Sequence, residues 1–294
     1  MLVDNRDVLL SKRRRLGAEL RRLREQAGLS GRQLARQIDI SQSKVSRIES
    51  GTAIPTAPEA SGWAKASGAS ESATSMVLML ADAAYTEVHP WDAALREQEH
   101  LQDDIQEVEG RSRAIYVYEP TLVPGLLQTA EYARRVFSMF EPAYASHDIP
   151  AVVAARLDRQ VALFDQDRRF GFLLTEAALC WHAGPASLLL AQLDRIASLS
   201  TLENVVIGVV PRLARALTHA PHGFALFEPS DQAMDAVVLV ESVHASLTVS
   251  APAQVALYRR QWSLLERMAV YGAAALDLLA KIAADVRALP EEGP

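Results

Sequence analysis

The sequence predicts an α+β chain. An all-α N-terminal domain of about five helices precedes a mixed α/β domain with one sheet of about five strands and a long terminal helix. Three observations predict it. Apolar residues recur at helical spacing as far as residue 87. Beyond Arg111, short β-branched or aromatic runs alternate with helix-length segments. After Pro252 the pattern is helical to the end. A chain of 294 residues also fits two domains better than one small module. The boundaries read as 1–87 for the helical domain, 88–110 for an acidic helical linker and 111–294 for the second domain.

From Leu9 to Gln26 the apolar positions Leu9, Leu16, Leu20 and Leu23 are interleaved with Lys12 to Arg15, Arg21, Arg22 and Arg24. This is an amphipathic helix with a basic face, and Gly28 stands where a left-handed C-terminal residue is wanted. Ser30 followed by Gln33 reads as a capping box for a second helix that turns Leu34 and Ile38 inward. Ser41 caps a third helix with Val45 and Ile48 on its buried side. Gly51 ends that helix and Pro55 prevents its continuation. Residues 56–87 supply two further helices.

Two short helices joined by a tight turn, the second with a polar leading edge, form a helix-turn-helix, whose second helix enters the major groove N-terminus first. Gln42, Ser43 and Lys44 lie on its opening turn and Arg47 one turn later. Gln matches the adenine edge, and Arg or Lys the guanine edge. Ser41 at the helix N-terminus and the basic residues Arg13, Arg14, Arg21 and Arg32 are placed to meet phosphate.

Charge is divided in the same way. Residues 1–50 carry 12 Lys and Arg against 6 Asp and Glu, a net of +6, while the remaining residues carry 18 against 30, a net of −12. A basic head on an acidic body fits a nucleic-acid-contacting domain joined to one that avoids nucleic acid.

The run LSGRQLARQIDISQSKVSRIESG, with Ser-Lys-Val-Ser-Arg-Ile-Glu-Ser-Gly from Ser43 and then Pro55, resembles the core of lambda-repressor-like regulators of the xenobiotic-response-element type. The resemblance implies double-stranded DNA as partner, with Gln42 and Ser43 at the leading base-reading positions and Arg47 at a later one. It also implies a phosphate contact at Ser50 and a structural role for Glu49. One position departs: many such regulators open the second helix with a Gln that braces the recognition helix, and here Gly31 stands there.

In the second domain AIYVYE (114–119), FGFLLT (170–175), NVVIGVV (204–210), GFALFE (223–228) and AVVLVE (236–241) read as strands. Segments 127–140, 149–166 and 185–199 read as helices between them. Arg156, Arg159 and Gln160 share one helical face, suited to gripping a carboxylate or phosphate, and Glu176 and Glu241 each close a strand. The same groups serve equally as internal salt bridges. The order EPTLVPGLLQTAEYARRV, RLDRQVALF, FLLTEAAL, QLDRI, VVIGVVP, HGFALFE, VVLVE resembles an uncharacterised C-terminal domain of bacterial helix-turn-helix regulators. Members are described as antitoxin-like or development-linked repressors and are often encoded beside a small protein. The resemblance implies a sensing, dimerising or partner-binding role.

The sequence also sets exclusions. No phosphate-cradling Gly-x-x-x-x-Gly-Lys, Gly-x-Ser-x-Gly or His-Glu-x-x-His is present, so no enzyme, no cofactor and no catalytic or metal residue is expected. His219 and His222 read as loop histidines. Cys180, the single cysteine, forms no internal disulfide. No apolar run of membrane-spanning length occurs, and the expected location is cytoplasmic. The last segment carries an apolar stripe at Val255, Tyr258, Trp262, Leu265, Ala269, Leu276, Leu279, Ala283 and Val286, interrupted by Gly272. It suits either an intersubunit seam or a cover for the chain's own sheet. A homodimer on a pseudo-palindromic operator is the expected working form.

Overall fold

Helical periodicity at the N-terminus becomes α1 (Asn5–Gln26), α2 (Gly31–Gln37), α3 (Gln42–Glu49), α4 (Ala57–Ala66) and α5 (Glu71–Tyr85) in the computed structural model. The structure describes residues 5–90, 105, 108–140, 144, 147–230 and 235–289. Most of the expected acidic linker, including Trp91, Leu95, Glu97, Glu99, Leu101, Asp103, Asp104 and Glu107, lies outside the described residues. Two compact units result: residues 1–88 with 231–235 and 248–251, and residues 89–230 with 236–247 and 252–294.

The first unit follows its caps. Ser30 accepts from the Gln33 N–H while the Gln33 side chain accepts from the Ser30 N–H, and Gly28 takes φ 69°. Ser41 Oγ accepts from the Lys44 N–H to open α3. Thr56 and Glu59 form a second capping box at α4. Leu16, Leu20, Leu34, Val45, Ile48 and Trp63 make a common core, and Trp63 Nε1 donates to the Leu20 carbonyl at 3.0 Å. A short strand, β1 (Thr86–Pro90), follows α5.

In the second unit the strands are β2 (Ser112–Glu119), β3 (Arg169–Thr175), β4 (Val205–Val210), β5 (Phe224–Pro229), β6 (Val237–Glu241) and β7 (Ala245–Val249). They neighbour one another in the order β7-β6-β5-β2-β3-β4. β2, β3 and β4 are parallel, whereas β5 runs antiparallel to both β2 and β6. Parallel neighbours need crossovers. The first is α6 (Ala130–Ser138) and α7 (Ile149–Arg159), and the second is α8 (Glu176–Leu179) and α9 (Ala186–Leu199). Strand β3, flanked on both sides, is buried from Phe170 to Leu174, as a central strand covered on two faces must be. Strand β7 is the addition to the runs read from sequence; ASLTV carries two hydroxyls and no large apolar residue besides Leu247.

The terminal helical segment is divided into α10 (Pro252–Glu266) and α11 (Gly272–Arg287). Between them Val270 exchanges two backbone hydrogen bonds with Val209 of β4, at 2.8 and 3.0 Å, and Gly272 takes φ 54°. The break resets the helical phase. Val255, Trp262 and Leu265 are buried on α10, while α11 buries Ala275, Leu279, Ile282 and Val286 and exposes Leu276. The α11 residues join the core beneath the sheet, so this half of the stripe covers the chain's own sheet.

Candidate nucleic-acid interface and a cavity in the second unit

Helix α3 presents Gln42, Ser43 and Ser46 to solvent, with Lys44 and Arg47 half-buried. The helix is held from behind at three points. Arg24 of α1 donates through Nη2 to Glu49 Oε2 at 2.9 Å and through Nε to Glu49 Oε1. Gly17 lets α1 approach the end of α3: a Cβ there would lie 2.5 Å from the Ile48 carbonyl oxygen. Lys44 Nζ donates to Glu59 Oε1 at 2.7 Å, tying α3 to α4. Burial alone would raise the Glu59 carboxyl, but Lys44 and the Thr56 N–H hold it below its ordinary value.

The residues assigned to DNA fall into two groups. Gln42 and Ser43 are exposed on the leading turn, and Arg14, Arg21 and Arg32 are exposed on α1 and α2. Arg21 is paired to Glu25 at 2.8 Å. The other group is engaged locally. Ser41 caps α3. Ser50 Oγ donates to the Arg47 carbonyl at the other end of that helix. Arg13 Nη2 donates to Ser250 Oγ at 3.1 Å within the same unit. At Gly31 a Cβ would meet only Val45 Cγ1 at 3.6 Å, an ordinary contact. Sequence reasoning missed Asp235, which clusters with this unit. Burial raises its carboxyl, against the pull of Lys44, Arg13 and Arg47. No local motif marks Asp235, because it reaches this surface from a distant part of the chain.

In the second unit the residues Arg156, Arg159, Gln160, Glu176 and Glu241 do not form one site. Arg159 pairs with Glu109, Nε to Oε2 at 3.0 Å, both side chains being largely buried. Gln160 braces the 3-10 turn Gly125–Leu127, donating to the Gly125 and Gln128 carbonyls while its Oε1 accepts from Arg195. Glu176 accepts from the Arg212 N–H at 2.8 Å.

Arg156, Arg159 and Glu241 line a cavity of about 540 Å³, together with Glu109, Glu119, Gln128, Phe137, Tyr144 and His222, whereas Gln160 and Glu176 do not. Its floor is one face of the sheet, and α6 and α7 supply Phe137 and Arg156. Because β2 and β6 both run antiparallel to β5, their C-terminal ends share an edge. Continuing the observed registers places Glu119 and Glu241 on either side of Gly223. A Cβ at Gly223 would lie 2.8 Å from Glu119 Oε2, so the glycine leaves room for the carboxylate. Arg156 lies over the Phe137 ring, 4.1 Å from its centroid, and Nη1 donates to Gln128 Oε1 at 2.7 Å. Burial pushes the Glu119 carboxyl up to about 8, reinforced by Glu241 and opposed by Arg156. Burial likewise lowers Arg156 to about 10, with Arg159 adding to the effect. Glu119 was legible only as a strand end before Pro120. Neither its burial nor its neighbour across Gly223 has a sequence signature.

Among the described residues no cluster of His, Cys, Asp and Glu is placed to hold a metal, and no helix is long and apolar enough to cross a membrane. The His219 carbonyl accepts from Gln261 Nε2, and His222 lies in the cavity wall.

A capped, braced recognition helix on a small helical unit is the architecture of DNA-binding regulators, and a family profile described as a helix-turn-helix domain matches residues 15–75. The profile of a domain of unknown function, DUF5753, matches residues 102–281. That is more than half of the chain, which therefore belongs to the DUF5753 family. No curated protein matches the chain.

Proposed function

We propose that the chain is a sequence-specific transcriptional repressor of the lambda-repressor-like, xenobiotic-response-element type, without catalytic activity, whose second unit binds an effector that alters DNA affinity. The carrying observation is α3 itself. Ser41 caps it, Arg24–Glu49 and Gly17 fix it against α1, and Gln42 and Ser43 stand exposed at its leading end. Gln42 and Arg47 read base edges, while Arg14, Arg21 and Arg32 hold phosphates. Ser43 and Lys44 support this reading from the same turn, Lys44 after exchanging Glu59 for a base or phosphate.

The protein works as a homodimer, because one helix-turn-helix covers few base pairs and a dyad sets two recognition helices in successive major grooves. The operator is a pseudo-palindrome with half-site centres about 10 bp apart, or a multiple of that. A small molecule is favoured as effector over a separate small protein by the cavity, whose volume and mainly apolar wall with few charged groups suit such a ligand. Selection of bound duplexes from a random pool, followed by footprinting beside light scattering, tests the proposal. It predicts a two-fold-related motif and a dimer. A monomer protecting one half-site, or a pool with no enriched sequence, would overturn it.

A further inference from the structure

The cavity brings together ionisable groups of both signs that the chain leaves incompletely matched. Arg156 Nε is buried with no hydrogen-bond partner. Among the described residues, no hydrogen bond or ion pair engages the carboxyl group of Glu119 or Glu241, although both residues lie at one sheet edge on either side of Gly223. A desolvated guanidinium with an unmatched donor is costly, and a bound acceptor recovers that cost. The Glu119 carboxyl is buried beside Glu241, which favours its neutral form, and a cation seated between the two favours ionisation of both. Much of the rest of the wall is apolar, with Val117, Phe137, Phe140, Phe172, Phe224 and Leu239, and the Arg159–Glu109 pair also lines it.

A ligand with only a carboxylate would satisfy Arg156 and leave Glu119 and Glu241 without a cation. One with only an amine would do the reverse. We propose, resting on the effector reading above, that the cavity binds a small zwitterion of the α-amino-acid class with an apolar side chain. Its ammonium lies between Glu119 and Glu241, its carboxylate lies on the Arg156 fork, and its side chain lies among the aromatic residues. Arg–carboxylate recognition is directional, and here Gln128 and Phe137 hold the guanidinium in place. In the ligand-free protein at pH 7 Glu119 retains its proton, so seating an ammonium beside it releases that proton to solvent.

Titration calorimetry on the full chain tests the proposal with L-leucine, L-phenylalanine and L-tryptophan. Each is compared with the amine lacking its carboxylate and the acid lacking its amine. At least one amino acid should bind tenfold or more tightly than both of its counterparts. Repeating that titration at pH 7 in phosphate and in Tris should reveal proton release. Glu119→Gln should abolish the release, and Glu241→Gln, at an exposed position, should weaken binding about tenfold with an unchanged melting temperature. Equal binding of an amine or acid counterpart, or no binding by any compound, would overturn the zwitterion assignment. Measuring operator affinity with each compound separates the two claims. An amine or acid that binds and shifts operator affinity leaves the effector reading standing without the zwitterion. An amino acid that binds without shifting it leaves the site standing without the effector role.

Discussion

Arg24 on α1 holds Glu49 at the end of α3 through both arms of its guanidinium, Nη2 to Oε2 at 2.9 Å and Nε to Oε1. The Arg24 Nη1 also donates to the Leu29 carbonyl at 2.8 Å, so one side chain ties the recognition helix to the turn before α2. The two side chains are 11% and 13% exposed, which places the pair between a surface bridge and a buried one.

Removing one partner of such a pair leaves a poorly solvated charge. Arg24→Ala should cost about 1–3 kcal/mol of stability, and Glu49→Gln somewhat less because an amide still accepts a hydrogen bond. Chemical denaturation of the two variants checks the magnitude. DNA affinity should fall with stability without a change in base preference, since neither residue faces the groove.

Gly17→Ala tests the close approach of α1 and α3. Its new Cβ would meet backbone at 2.5 Å, which no side-chain movement relieves. Thermal melts should show a loss of about 2 kcal/mol or more, whereas Ala is otherwise the better helix former by about 1 kcal/mol. A variant as stable as the parent would show that the crossing is looser than described.

Gly31→Gln and Asp235→Asn should both strengthen DNA binding. The first restores the bracing side chain that the resemblance places there, and its Cβ meets only an ordinary contact. The second removes a carboxylate surrounded by Lys44, Arg13 and Arg47. Fluorescence anisotropy at two salt concentrations should give a severalfold gain for each, and for Asp235→Asn a steeper salt dependence as the basic groups turn to phosphate.

Much of the first unit was legible because its signals are local. The capping residues Ser30 and Ser41, the left-handed Gly28 and Gly51, and the 3.6-residue period each act within a few positions, whereas the Thr56–Glu59 capping box went unread. The five strand runs of the second unit were legible for the same reason. What the sequence withheld depends on partners far away in the chain. Arg159 and Gln160 share a helical face with Arg156, yet Glu109 and the Gly125 turn claim them. The division of the terminal helix turns on Val270 pairing with Val209, 61 positions away. Strand β7, Ala-Ser-Leu-Thr-Val, lacked the continuous β-branched or aromatic run that identified the others.

The Glu119 carboxyl gives a pH signature. Its folded value of about 8 lies above the ordinary 4.5, so between those values the folded chain binds more protons than the unfolded one. Its contribution is therefore full below about pH 4.5 and is lost as pH rises through 8. Glu119→Gln should flatten the stability profile across this window. Thermal melts at pH 6 and pH 9 should differ less in the variant than in the parent, and an unchanged difference would place the titrating group elsewhere.

The central claim is that α3 reads base edges, and Gln42 tests it most directly because it is exposed on the leading turn. Binding of the parent and of Gln42→Ala should be measured by anisotropy on a selected operator and on duplexes with single base-pair changes in each half-site. The account predicts that Gln42→Ala loses about 1–3 kcal/mol on the operator. It also predicts that one base-pair position ceases to matter while the others keep their penalties, and that Arg14→Ala weakens every duplex alike. A Gln42→Ala chain that binds the operator as tightly as the parent, with all positional penalties intact, would contradict it.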